Sequence, residues 1–397
     1  MSNPPRGTAL DLLALGTIRR GLRNGSLTLH WPEGGSETIT RGRPGPEVEV
    51  HVRDRNALRR IASTGGNGMA DAYLLGEFEC DDLASLVELA AIHMEPQHLS
   101  WIPDPAIKAA QATWRRIGRT WETRGPLRDI VHHYDLGNEF YSAWLDPSMT
   151  YSSAIFDGDM TLEQAQLAKY QRLAEACDIR PGQSVLEIGS GWGGFARYAA
   201  SELDVDVTTV TVSREQALWV SKLAAEDGLG DRIQVQLEDF LMTRGTFDHI
   251  VSIEMIESIP GSRWSEFFDT LKARVKRGGR IGLQAITIAD HHWEVSAANP
   301  DFVRRYIFPG GQIPAPKRLR ELARERGMTW IDNFQFGSSY ARTLAAWRDN
   351  FDAAWPSIAA MGFDDDFRRL WRYYLSYCEG GFRSGRIDVG QIVLEVS

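Results

Sequence analysis

The chain has 397 residues, 43% of them hydrophobic and 24% charged, which fits one large or two ordinary globular domains. Its net charge of −9 argues against general nucleic-acid binding, and no apolar run is long enough for a transmembrane helix. The first residues lack the pattern of a secretory signal and the three cysteines are widely separated, so we expect a cytoplasmic protein without disulfides.

The first hundred residues predict a small α+β domain, which we place at 1–105. The runs "GSLTLHW" and "EVEVHV" alternate as strands do, and "GSETITRGRPGPE" between them is rich in turn formers. "NALRRIAST" and "DDLASLVELAAIHM" predict helices, the second with acids at its N-terminus. A basic helical linker is predicted at 106–130, and two roles stay open for it: packing its tryptophans on the core, or lying on a lipid surface.

From Ser184 onward, strand-like runs alternate with helical segments. The runs are "SVLEI", "DVTTVTV", "RIQVQL", "FDHIVSI" and "RIGLQAITI". This alternation predicts a doubly wound, mostly parallel sheet of the Rossmann type, and "TWIDNFQF" and "GQIVLEVS" would complete it as an edge pair. Residues 289–320 and the aromatic-rich residues 340–383 interrupt the repeat, and we expect such long additions to build a substrate pocket.

The stretch "VLEIGSGWGG" predicts a cofactor site between a strand and a helix. Gly189, Gly191 and Gly193 would let the backbone turn sharply and approach a ligand at the positive end of that helix. NAD enzymes carry similar turns, but Glu187 and the lack of an acid after the next strand favour S-adenosylmethionine (SAM). The predicted contacts further along the chain are Thr211 and Gln216 for the ribose, and Asp239 and Phe240 for adenine.

Five separated motifs together resemble the cyclopropane-fatty-acid synthase family, which includes the mycolic-acid cyclopropane synthases and methyltransferases. They are "HHYDLGNEFYSAWLDPSMTYSSAIF", "VLEIGSGWGG", "TVTVSREQ", "YIFPGG" and "YARTLAAW", and the match covers roughly residues 125–397. The resemblance implies a class I SAM methyltransferase domain at 131–397 with helical lipid-pocket insertions. Residues 1–105 are similar in layout to the small N-terminal lipid-associated domain of that family.

The resemblance also implies an activity. It is the SAM-dependent transfer of a methyl or methylene group to the cis double bond of an unsaturated phospholipid acyl chain. The implied partner is a membrane phospholipid reached by peripheral contact at the inner membrane surface, and a homodimer is left open. We expect no metal, because His132 and His133 lack partners at ligand spacing. By position in the family, Tyr151 and Ser152 would contact SAM beside Glu187 and the glycine turn.

The family pattern also suggests the catalytic residues. Glu257 falls on its active-site glutamate, Tyr340 on its active-site tyrosine, and Ile286 on a backbone position that helps to hold bicarbonate, the base of the bacterial enzymes. This sequence departs from the pattern at Ser153, where a cysteine is expected, and at Gln284, where a histidine is expected. Neither side chain can act as a base near neutral pH. The bicarbonate and the nature of the product, cyclopropane or methyl- or methylene-branched, are therefore left open.

Two other functions are alternatives to lipid alkylation. Some relatives of the family methylate amines, so a small-molecule N-methyltransferase is the main alternative, opposed by the lipid-domain-like first hundred residues and the basic linker. A SAM-binding protein without catalysis is opposed by the presence of Glu257 and Tyr340.

Overall fold

The structure, a computed structural model, describes residues 9–93 and 136–396, so the linker predicted at 106–130 lies outside the described residues. The chain forms two compact units. The first comprises the described part of Met1–Asp135 together with Pro300–Pro309 and Gly362–Arg386. The second comprises Leu136–Asn299, Gly310–Met361 and Ile387–Ser397. Within the described ranges, no helix has both the length and the apolar character that crossing a membrane requires.

The strands are β1 (Ser26–His30), β2 (Ser36–Thr40), β3 (Glu47–Val52), β4 (Phe78–Glu79), β5 (Ser184–Ile188), β6 (Asp206–Thr211), β7 (Ile233–Leu237), β8 (Phe247–Ile253), β9 (Val275–Ile288), β10 (Met328–Gln335) and β11 (Ile387–Val396). The helices are α1 (Ala9–Gly21), α2 (Asn56–Thr64), α3 (Gly66–Leu74), α4 (Leu83–His93), α5 (Asn138–Ser142), α6 (Leu162–Ala176), α7 (Gly194–Glu202), α8 (Arg214–Glu226), α9 (Trp264–Arg274), α10 (Asp290–Ala298), α11 (Phe302–Tyr306), α12 (Pro316–Glu325), α13 (Gly337–Ala360) and α14 (Asp365–Arg383).

The first unit contains a sheet in the order β2-β1-β3-β4. The segment that the sequence predicted as a turn contains β2, which pairs antiparallel with β1. Cross-strand partners such as Thr28 and Thr38, whose hydroxyls lie 2.9 Å apart, add contacts that the turn-rich composition concealed. In the same sheet, His30, Glu49 and His51 each have a side-chain atom of the kind that can bind a metal ion, and these three atoms lie within 4.8 Å of one another.

Helix α14 packs within the first unit, although it follows the second unit's α13 in the chain. A β-carbon on Gly380 would come 2.6 Å from the Ala84 carbonyl oxygen, so the glycine lets α14 lie close against α4. Arg369 donates to the Tyr73 carbonyl at 2.6 Å and to Glu79 at 2.8 Å. The compact units therefore cross the predicted boundary at residue 131, because residues 362–386 bury their apolar face in the first unit.

The second unit contains a seven-stranded sheet in the order β10-β11-β9-β8-β5-β6-β7. The strands from β9 to β7 run parallel, and β11 pairs antiparallel with both β9 and β10. The predicted doubly wound sheet and its edge pair are thereby confirmed. Chain order reverses between β5 and β8, and in sheets of this kind ligands bind at the carboxyl ends of the strands beside such a reversal.

Apolar side chains of this sheet point alternately to two cores. Val185 packs with Leu173 and Phe195 of one cluster, whereas its neighbour Leu186 packs with Phe267 and Leu322 of the other. Successive side chains of a strand point to opposite faces, so helices cover both sides. The rigid layers fix the positions of the strand ends that carry the candidate site.

Candidate active site

A glycine turn follows β5 and leads into α7. Gly189 and Gly191 have φ of +93° and +48°, in the left-handed region that glycine adopts at low cost. A β-carbon on Gly191 would meet no atom within 4 Å, so the turn borders open space. Gly193 immediately precedes the helix and also has a positive φ, of +85°. The turn therefore presents backbone groups and a helix N-terminus to a ligand.

Glu187 lies in β5, two residues before this turn. Its carboxyl is buried and accepts a 2.6 Å hydrogen bond from the Thr209 hydroxyl, which lies directly opposite on β6. Burial raises the pKa of Glu187 to about 8, and the Thr209 hydroxyl opposes that rise. A buried carboxyl of this kind favours the approach of a cationic group, whose charge would bring the pKa down again.

The predicted ribose and adenine residues lie at the carboxyl ends of β6 and β7. The Thr211 hydroxyl donates to Gln216 Oε1 at 2.8 Å. Asp239 caps the short turn Phe240–Met242 through its side chain. The Phe240 ring is buried and packs edge-on against Phe267, with ring centroids 5.4 Å apart. These residues share one edge of the sheet with the glycine turn, and their contacts with SAM stay predictions.

The segment 149–156 passes between α6 and α13. Ser152 Oγ accepts a 2.7 Å hydrogen bond from Lys169 Nζ on α6. Burial lowers the pKa of Lys169 to about 7, although the nearby carboxylates Glu254 and Asp146 oppose that change. On the other side, the Ala154 N–H donates to Thr343 Oγ1 of α13 at 3.1 Å. Both helices therefore hold the segment in place.

Tyr151 belongs to a cluster of aromatic rings within the second unit. Its ring centroid lies 5.4 Å from that of Tyr141, 5.6 Å from that of Trp144 and 5.3 Å from that of Trp347. Tyr340 approaches the same cluster, 6.1 Å from Trp347. Of the aromatic residues at 340–383, those on α13 join this cluster directly or through Phe351, whereas α14 belongs to the first unit.

The carboxylate of Glu254, the residue after β8, accepts hydrogen bonds from three separate segments. The Ser153 N–H and Gln284 Nε2 each donate to Oε1 at 2.8 Å, and the Tyr340 hydroxyl donates to Oε2 at 2.7 Å. Burial raises the pKa of Glu254, whereas the bonds from Tyr340 and Gln284 lower it. Ser153, Gln284 and Tyr340, all predicted as catalytic, thus meet at Glu254, which was not among the predicted site residues.

Glu257 lies three residues further along, in the turn Ile256–Ser258. Its Oε1 accepts a short hydrogen bond from the Ile286 N–H. Its Oε2 is buried and has no hydrogen-bond partner among the described residues. Burial raises the pKa of Glu257 to about 8, and the charge of Glu254 contributes to that rise. The two carboxylates therefore influence each other's ionisation.

The predicted catalytic residues thus lie together, with Ser153, Gln284 and Tyr340 around Glu254 and Ile286 on Glu257. The Ser153 side chain does not take part, because its hydroxyl donates to the Ala154 carbonyl at 3.0 Å. A signal for Glu254 was present in "SIEMIES", where two acids follow a predicted strand with a spacing of three. The assignments of individual residues to catalysis stay predictions.

Comparisons with known proteins agree with the predicted family and fold. The family model for mycolic acid cyclopropane synthetase matches residues 122–392. A tuberculostearic acid methyltransferase of Mycobacterium tuberculosis is 32% identical, over 98% of this chain and 92% of the relative. The cyclopropane-fatty-acyl-phospholipid synthase of Escherichia coli is also 32% identical, over 87% of each chain. A crystal structure of a mycolic acid cyclopropane synthase complexed with SAH and CTAB has a TM-score of 0.62 and 30% identity, covering 69% of this chain and 99% of that one.

Proposed function

The chain belongs to the mycolic acid cyclopropane synthetase family, and from that membership we propose that it alkylates the cis double bond of an unsaturated phospholipid acyl chain. It is a SAM-dependent methyltransferase with a class I fold. The proposed product is a cyclopropane or a methyl- or methylene-branched acyl chain. The observation that carries the proposal is the pair of carboxylates, Glu254 and Glu257, held beside a cluster of aromatic rings at the carboxyl edge of the sheet.

Bound SAM supplies an electrophilic methyl group on a positively charged sulfur. The residues present fit this donor, because the turn at Gly191 borders open space and Glu187 offers a buried carboxyl to its ammonium group. We assign the backbone of Gly189, Gly191 and Gly193 to the same end of the donor. The other proposed contacts are Tyr151, Ser152, Thr211, Gln216, Asp239 and Phe240.

An alkene is a weak nucleophile, so its alignment in a dry pocket contributes much of the rate enhancement, roughly 7–11 kcal/mol in favourable cases. Positive charge then develops on the acyl chain. The faces of Tyr151 and Trp347 can stabilise that charge, each by roughly 0.5–2 kcal/mol. Nearby carboxylates stabilise it further, because a site from which water is excluded screens charge weakly.

The lipid substrate is supported by the relatives, one of which is named for phospholipid. The proposal includes peripheral contact with the inner membrane surface and a cytoplasmic location, with a monomer or a homodimer as the assembly. Local basic groups would carry such contact, because the net charge of −9 opposes binding to anionic lipid. One such group is the Lys317, Arg318 and Arg320 cluster on α12.

Expression in a host whose lipids contain monounsaturated chains and no cyclopropanes tests the proposal. Mass spectrometry of the fatty acids should show a gain of one methylene unit. Loss of the double bond would identify a cyclopropane, and its retention a branched product. Glu226→Gln changes an exposed acid on α8, away from the candidate site, and should leave the yield of modified lipid unchanged. Unmodified lipids together with methylated soluble amines would overturn the lipid assignment in favour of N-methyl transfer.

A further inference from the structure

Glu254 has a backbone conformation that suits glycine better than glutamate. Its φ is +50°, in the left-handed region where a β-carbon is strained. Its N–H donates to the Gln284 carbonyl at 2.8 Å, which keeps the residue against β9. A strained residue other than glycine beside a site suggests that its side chain serves that site.

The family pattern predicts that bicarbonate lies among the groups of Ser153, Glu257, Gln284, Ile286 and Tyr340. Each hydrogen-bond donor of that set already donates to another group of the protein. The Ser153 N–H and the Tyr340 hydroxyl donate to Glu254, and the Ile286 N–H donates to Glu257. The two amide hydrogens of Gln284 go to Glu254 Oε1 and to the Ser153 carbonyl, at 2.8 and 3.2 Å. A second anion would also meet repulsion from the Glu254 carboxylate. The residues present therefore do not fit a bound bicarbonate.

A chain of hydrogen bonds that begins at the half-buried Arg172 fixes the direction of the Gln284 amide. Arg172 Nη1 donates to Gln391 Oε1 at 2.9 Å, and Gln391 Nε2 donates to Gln284 Oε1 at 3.2 Å. Because its oxygen accepts from Gln391, the Gln284 amide turns its nitrogen toward Glu254, to which one N–H donates while the other donates to the Ser153 carbonyl. Every step of this chain donates toward Glu254, which favours the ionised carboxylate over the neutral acid.

We propose that the Glu254 carboxylate is the built-in base of the alkylation, in the place that bicarbonate holds in the family pattern. The assignment rests on the function proposed above. Glu254 Oε1 already accepts two hydrogen bonds, whereas Oε2 accepts one from Tyr340. Oε2 therefore keeps an acceptor position and is the oxygen that receives the proton.

The alkylation needs no base other than Glu254. The electron pair of the alkene forms a bond to the transferred methyl carbon, while the carbon–sulfur bond of the donor breaks and leaves its electron pair on sulfur. The adjacent carbon becomes positive. Glu254 then takes one proton, and the released C–H electron pair either closes the cyclopropane or forms a new double bond. The carboxylate becomes a carboxyl and the acyl product is neutral.

The test measures methyl transfer from labelled SAM to vesicles of a monounsaturated phospholipid, in buffer stripped of carbon dioxide and in the same buffer with added bicarbonate. Wild type should be equally active in both. Glu254→Gly removes the carboxylate and relieves the strained backbone, so it should lose roughly 100-fold in stripped buffer and recover with bicarbonate, which can use the freed donors. Glu254→Gln fills the same space without a base and should stay inactive in both buffers.

The outcomes separate this proposal from the proposed function. Melting temperature and SAM affinity show that each variant is folded, and Glu226→Gln controls for the loss of a charge elsewhere. A wild type that labels lipid only with bicarbonate overturns the assignment of Glu254 alone, as does a Glu254→Gly variant that stays active in stripped buffer. Absence of labelled lipid in either buffer overturns the proposed function, and the base assignment with it.

Discussion

The hydroxyl of Tyr340 donates a 2.7 Å hydrogen bond to Oε2 of Glu254, which links the start of α13 to the end of β8. The two residues are 86 positions apart in the chain. The bond stabilises the ionised carboxylate and lowers its pKa against the effect of burial. It also places a phenol beside the oxygen to which we assign proton transfer.

Tyr340→Phe should slow turnover while leaving the binding of SAM unchanged. Loss of a hydrogen bond to a charged group corresponds to roughly a tenfold or greater effect on the rate at neutral pH. The pKa of Glu254 should rise, so the loss should be larger at lower pH. Single-turnover rates measured across pH check both statements. A variant slowed by the same factor at every pH would show that the phenol does not act through Glu254.

Glu257→Gln should change how kcat/KM depends on pH. Glu257, with its pKa raised to about 8, is protonated below that pH and ionised above it. If its negative charge stabilises the cationic acyl chain, kcat/KM of the wild type should rise with pH through about 8. The variant should lack that rise, so above this pH its kcat/KM should be roughly 100-fold below that of the wild type. A flat wild-type profile over this range would contradict the electrostatic role.

Glu187→Gln should change how stability depends on pH in the SAM-free protein. Glu187 ionises near its ordinary pKa of 4.5 when unfolded and near 8 when folded. Between these values the folded state binds the extra proton, so the wild-type free energy of unfolding falls as pH rises. The variant lacks this loss. As pH rises through this range, its free energy of unfolding should therefore increase relative to that of the wild type by an amount on the order of a few kcal/mol.

Denaturant unfolding of both proteins across that pH range measures the difference directly. A difference that stays constant with pH would mean that the folded state does not hold the proton on Glu187. Added SAM should reduce the pH dependence, because a bound ammonium group favours the ionised carboxyl.

Gly194→Ala should destabilise the start of α7. A β-carbon there would lie 2.3 Å from the Tyr170 hydroxyl oxygen and 3.0 Å from Thr150 Oγ1, two groups that form a 2.8 Å hydrogen bond. Such overpacking costs about 1–3 kcal/mol of unfolding free energy. The matched control is Gly230→Ala, where the new methyl group meets no atom within 4 Å. Equal unfolding free energies for the two variants would contradict the close packing.

Much of the second unit could be predicted because its signals are local. The strand runs, the glycine turn after β5 and the edge pair of β10 with β11 were all predicted, and each depends on residues close together in the chain. Strand β2 was missed because glycines and prolines flank it closely on both sides, although Thr38, Ile39 and Thr40 within it favour a strand that pairs with β1.

The sequence by itself determined the alternating α/β pattern, the glycine turn with Glu187 before it, and the family. Only the tertiary structure decided that α14 packs with the first unit and that Glu254 occupies the centre of the predicted catalytic set. The donors to Glu254 lie 101, 30 and 86 positions away in the chain. Local patterns encode the elements, whereas hydrogen bonds between distant segments form only when those elements pack, and packing is what gives this carboxylate its chemistry.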